Sequence, residues 1–240
     1  MASCERAVPA GGARASEPMR HVFVETNWVF AYASPAHHKR LDAVELLERA
    51  GANAVRLHLP APCLTEARPP IMNKCQPRNE ADAIRQYLRR ARAEQTVSPD
   101  QERATREVLD RFEQQVRGEL RQLDDVLKSL RTKPGLELFP LNEQMLDRAI
   151  DLAQMDLPLR PFDQAILAGI LVRAEELRSQ GETELCFCVT DADLQPWAKQ
   201  GHAKQPLTDL YDEALVWVYG DFSMNAPERP EVWPDLNAKP

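Results

Sequence analysis

The sequence predicts an α/β domain built on a parallel sheet. Three observations carry that prediction. Five short apolar runs bounded by breakers read as strands: HVFVE at 21–25, AVRLHLP at 54–60, LELFPL at 136–141, ELCFCVT at 184–190 and ALVWVYG at 214–220. Helical periodicity separates them, and strands that alternate with helices pair in parallel. The chain has 240 residues, the length of one domain with an elaboration.

Residues 1–20, MASCERAVPAGGARASEPMR, lack an apolar core region and read as a disordered leader, not a secretory signal. The domain itself spans 21–222. Its first helical pattern, at 36–50, carries Leu41, Val44, Leu46 and Leu47. A second, at 143–156, carries Met145, Leu146, Ile150 and Met155. A third, at 161–178, carries Ile166, Leu167, Ile170, Leu171 and Ala174.

From 78 to 133 there is no strand signal. SPDQ at 98–101 has the form of a capping box, with Ser98 as N-cap, Pro99 first in the helix and Gln101 reaching back. After it, Ala104, Val108, Phe112, Val116, Leu120, Leu123, Leu127 and Leu130 recur every three or four residues. This predicts one amphipathic helix of more than about thirty residues, roughly 50 Å long. The mean spacing of about 3.7 matches a straight helix, so the stripe should pack within the chain rather than in a long coiled coil. Ile84, Leu88 and Ala91 form a shorter stripe before the cap. The pair reads as an inserted helical hairpin. Residues 223–240 read as a disordered tail.

No apolar run approaches a membrane span, so no membrane partner is expected. The net charge of −7 argues against coating nucleic acid by bulk charge, though not against local binding. The five cysteines lack zinc-ligand spacing and read as small core residues of a reducing, cytoplasmic setting.

The chemistry lies in the acids. Glu25 ends the first strand, where a lone buried carboxylate costs several kcal/mol unless it has a cation. Glu66 follows the second strand, and Asp191 and Asp193 follow the fourth. Asp163 opens a helix whose positions 166/167, 170/171 and 174 are all apolar, so it shares the inward face. Each acid has an ordinary reading as well: Asp163 and Asp191 as helix-start residues, Glu66 as an early-turn acid. Gathered at the carboxyl edge of one sheet, four or five carboxylates need a cation, and hard oxygens suit Mg2+ or Mn2+.

In that order and context these residues resemble the motifs of the PIN-domain nucleases: Glu25-Thr26-Asn27, Glu66, Asp163-Gln164-Ala165-Ile166-Leu167-Ala168, and Thr190-Asp191-Ala192-Asp193-Leu194. The resemblance covers about 21–74 and 136–220. It implies a three-layer α/β/α sandwich with a parallel sheet of about five strands. It also implies metal-dependent hydrolysis of RNA that leaves a 5′-phosphate. Glu25, Asp163 and Asp191 would be the metal ligands. Glu66 and Asp193 would ligate through water or orient it, and Thr26, Asn27 and Thr190 would hold the carboxylates. Glu25 departs from the usual Asp, and Thr190 stands next to Asp191 rather than two before it. Such proteins often act as toxins with an inhibitory protein partner, and a homodimer is compatible with the sequence.

Two other readings stand beside this one. Asp191-Ala192-Asp193-Leu194-Gln195 echoes flap-type, structure-specific DNA nucleases, which need more carboxylates and a helical DNA-binding motif. A PIN-like scaffold that binds protein through its hairpin is the non-enzymatic reading. Arg85, Arg89 and Arg92 give the first hairpin helix a local positive balance. They read either as a wall for an RNA backbone or as a solvated face. His37-His38 reads as an exposed helix start more readily than as a catalytic pair. Trp197, just past Asp193, either stacks a base or packs on the sheet edge.

Overall fold

The strand runs are continuous rather than alternating because the sheet is covered on both faces. The computed structural model describes residues 19–224, apart from 156 and 199–201. β1 (Arg20–Phe23), β2 (Val55–Pro60), β3 (Leu136–Phe139), β4 (Leu185–Cys188) and β5 (Trp217–Tyr219) form one parallel sheet in the order β3-β2-β1-β4-β5. Val22 stands opposite Leu57 on one side and Cys186 on the other. Phe23, Leu57, Leu59, Phe187 and Cys188 are wholly buried. With its helices the sheet makes the expected three-layer α/β/α sandwich.

The chain winds outward from β1 to β3 in one direction and from β4 to β5 in the other. The switch therefore falls between β1 and β4, whose carboxyl ends open the crevice where such sheets bind ligands. Of the predicted leader, only residues 19 and 20 are described, and Arg20 already belongs to β1. Of the predicted tail, only Ser223 and Met224 are described. Both sit in a turn closed by the Asp221 carboxylate.

Nine helices are described: α1 (Thr26–Ala33), α2 (Leu41–Gly51), α3 (Pro62–Lys74), α4 (Arg78–Ala93), α5 (Pro99–Arg121), α6 (Leu123–Ser129), α7 (Glu143–Ala153), α8 (Pro161–Ser179) and α9 (Leu207–Ala214). Three expectations change here. The helix expected from residue 36 starts at Leu41, and His37 and His38 lie in the turn before it. On α7, Met145 and Leu152 are buried, whereas Leu146 and Ile150 are exposed. The helix expected as the successor of Asp191 does not form; turns run from there to Trp197, and Pro196 disfavours helix in its predecessor.

The hairpin is present but differs inside. The capping box at Ser98 forms in both directions. The single long helix is instead interrupted at Gln122, and that break turns Leu123, Leu127 and Leu130 into the main core with Val116 and Leu120. Ala104 and Val108 are exposed. Leu109 takes their place, packing with Ala81 and Leu88 of α4 in a separate small cluster. Ile84 is largely exposed. On either side of the small cluster the hairpin is held by buried acids. Glu102 pairs with Arg92 and Arg106, and Glu113 pairs with Arg85 and Arg117.

Candidate metal centre

Each acid reaches the crevice by a local rule. Glu25 follows β1 as the N-cap of α1, and its Oε2 accepts the Asn27 amide at 2.7 Å. Asp163 lies in the first turn of α8, where its carboxylate accepts a backbone hydrogen bond from Arg160 and gains from the helix dipole. Asp191 follows β4 and accepts the Asp193 amide at 2.9 Å, fixing a tight turn that leaves Asp193 exposed at the rim. Glu66 stands on α3 and accepts a hydrogen bond from the Thr26 hydroxyl.

These side chains line one cleft of about 500 Å³, together with Thr26, Asn27, Lys74 and Arg160. All five predicted acids are thus brought together. Glu25 lies deepest, with 4% of its surface exposed. Its second oxygen, Oε1, is shielded from solvent and has no hydrogen-bond partner. No arginine or lysine pairs with it among the described residues. Burial pushes its carboxyl up to about 8; the Asn27 amide opposes that rise, and the charges of Asp191, Glu66 and Asp163 add to it. Burial also raises Glu66, against the Thr26 hydroxyl. Asp163 is raised by burial and then by Asp191, with Arg160 acting the other way. Three carboxyls raised in one cleft mark a place where a cation or a proton is wanted.

The donor set fits a hard cation: oxygens only, one of them orphaned in the interior. The spacing is looser than the expected metal-bridging arrangement. Among the described residues, no three of these carboxylates bring one oxygen each within 4.8 Å of one another. Asp163 and Asp191 are only half-buried, open enough to turn inward.

The residues expected to support the acids divide differently from expectation. Thr26 acts through its hydroxyl and Asn27 through its backbone amide. Thr190 lies outside the cleft lining and holds no carboxylate among the described residues. Trp197 is buried at 8% exposure, so it packs rather than offering a face to a base. The hairpin arginines stand apart from the cleft. Arg85 is bound to Asp82, Asp110 and Glu113, and Arg92 to Glu102. Arg89 reaches the carbonyl of Arg85.

The cations lining the cleft are instead Lys74 and Arg160, which belong to none of the acidic motifs. Their signal was present. Glu66, Pro70 and Lys74 are spaced by four on α3 and all line the cleft, as one helix face should. Arg160 directly precedes the Pro161–Phe162–Asp163 helix start. Comparison with known proteins found no matching family model, no matching curated protein and no matching solved structure.

Proposed function

We propose that this chain is a metal-dependent endoribonuclease of the PIN-like kind, with Glu25, Asp163 and Asp191 as ligands of Mg2+ or Mn2+. The observation that carries the reading is Glu25. A carboxylate that is 4% exposed, with an orphaned oxygen, faces four further acids at the switch point of a parallel sheet. A structural role would have supplied it with an arginine or a second donor.

When bound, the cation would favour hydroxide over water and neutralise charge on the leaving oxygen. The chain's own residues do the rest. Glu66, steadied by Thr26, and Asp193 at the rim orient the attacking water and accept its proton. Lys74 and Arg160 hold the phosphates on either side of the scissile bond, where the guanidinium fork of Arg160 suits phosphate oxygens. Attack at phosphorus with release of the 3′ oxygen leaves a 5′-phosphate on the downstream fragment. RNA as the substrate rests on the PIN-like order of the motifs.

The test is cleavage of end-labelled single-stranded RNA by the full chain with Mn2+, compared with EDTA. Metal-dependent cleavage that disappears in Asp163→Asn is expected. Cleavage that survives EDTA, or equal cleavage by the variant, would overturn the assignment. An inert protein that still binds RNA or a partner would favour the scaffold reading.

A further inference from the structure

A second group of ligating side chains lies outside the acidic cleft. His37 and His38, in the turn between α1 and α2, meet Glu80 in the first turn of α4. One ligand atom from each falls within 4.8 Å of the others. From this juxtaposition we infer that His37, His38 and Glu80 form a site for a borderline divalent cation of the Zn2+ class, which fastens the helical hairpin to the body of the domain.

The chemistry differs from that of the acidic cleft. Two imidazoles and one carboxylate are the donor set of open zinc sites, which hold three protein ligands and leave a position for water. Mg2+ prefers oxygen alone, so the two sites sort different metals. The side chains are presented but not used up. His38 Nε2 stands 3.4 Å from Glu80 Oε1. The other Glu80 oxygen, Oε2, is shielded from solvent and accepts no hydrogen bond. Among the described residues, His38 is the ion-pair partner of Glu80, and no lysine or arginine takes that place.

The turn that carries the histidines is rigid enough to present them. The amides of His38 and Lys39 donate to the Pro35 carbonyl, and the Arg40 amide donates back to Ala31. The Ala36 amide donates to Glu119 of α5 at 2.7 Å, and the His37 ring meets Phe112 edge-on, 5.1 Å between centroids. The two imidazoles lie 4.3 Å apart, near enough to share one ion after small rotations. A metal here would tie the turn after α1 to α4, beside the contacts that Glu119 and Phe112 of α5 already make with that turn.

The test is zinc binding to the chelator-stripped full chain by calorimetry, with Zn2+ alone as the probe. With the acidic cleft held by excess Mg2+, wild type and Asp163→Asn/Asp191→Asn should bind one equivalent with the same affinity and gain the same increase in melting temperature. His38→Ala and Glu80→Gln should each weaken binding by about tenfold or more, as loss of one of three ligands does, and lose the thermal gain. The histidines are exposed, so circular dichroism of the variants should match wild type. Unchanged Zn2+ affinity in His37→Ala/His38→Ala, loss of binding in the cleft variant, or no binding by wild type at micromolar Zn2+ would each overturn the inference. A failed nuclease assay would leave it intact.

Discussion

Removing the charge of Glu25 should stabilise the metal-free protein at alkaline pH. Burial raises this carboxyl from 4.5 to about 8. The folded state therefore keeps its proton where the unfolded chain has already released one. Between those two values the folded state binds more protons, so stability falls as pH rises through the window and levels off above about 8. At about 1.36 kcal/mol per pH unit, the full cost approaches about 5 kcal/mol, an upper figure because local relaxation and water entry reduce it. Glu25→Gln keeps the shape, still accepts the Asn27 amide and has nothing to titrate. Urea denaturation in EDTA from pH 5 to pH 9 would measure the difference. Wild type should lose several kcal/mol relative to the variant across that range, and Mn2+ should restore wild type only. Parallel curves for the two proteins would refute the argument, because they would mean that Glu25 is solvated or already paired.

Asp163→Asn should abolish cleavage and raise the melting temperature in EDTA, since it removes a charge that repels Glu25 and Glu66; a variant that unfolds would reduce Asp163 to a helix-start residue. Lys74→Gln and Arg160→Gln should each weaken RNA binding about uniformly across sequences and lower the slope of log affinity against log salt by about one. Unchanged slopes would remove both from the phosphate path. Arg85→Gln with Arg92→Gln should instead lower the melting temperature, because Glu113 and Glu102 keep fewer partners, while the salt slope of RNA binding stays as in wild type. Away from the cleft, Glu137 is held down to about 2 by the imidazole of the buried His58, 3.3 Å away, and by Arg173, which donates to it at 2.7 Å. Its contribution to stability is complete above the ordinary 4.5 and is lost as pH falls through about 2. Glu137→Gln should therefore flatten acid unfolding in that window, and an unchanged acid limb would refute the pairing.

The fold was legible where both faces of an element are apolar. The runs that became β1 to β5 needed no side-specific reading, and Asp163 could be placed inward because every later position of its stripe is apolar. The order of the acids located the cleft, since strand ends converge at a switch point whatever the detail of the loops. What escaped the reading depends on partners distant in sequence. Glu102 and Glu113 sit at helical positions that look solvent-facing, yet arginines bury them. The same pairing engages Arg85 and Arg92, which in the sequence stand only as a local positive balance. Pro69 and Pro70 lie inside α3, so the sequence shows an early turn at Glu66 without the length of helix that carries Lys74 to the same face. His37 and His38 looked like a helix start. Their meeting with Glu80 requires the hairpin to fold back onto the turn after α1, which no local pattern encodes.

Glu25, Asp163 and Asp191 should together hold one hard cation. A crystal of the full chain soaked in Mn2+, with anomalous difference density collected near the manganese edge, tests it most directly. A peak is expected in the cleft within about 2.3 Å of an oxygen from each of the three, with Asp163 and Asp191 turned inward. A cleft without a peak at saturating Mn2+, with Glu25 instead protonated or bonded to a protein donor, would contradict it.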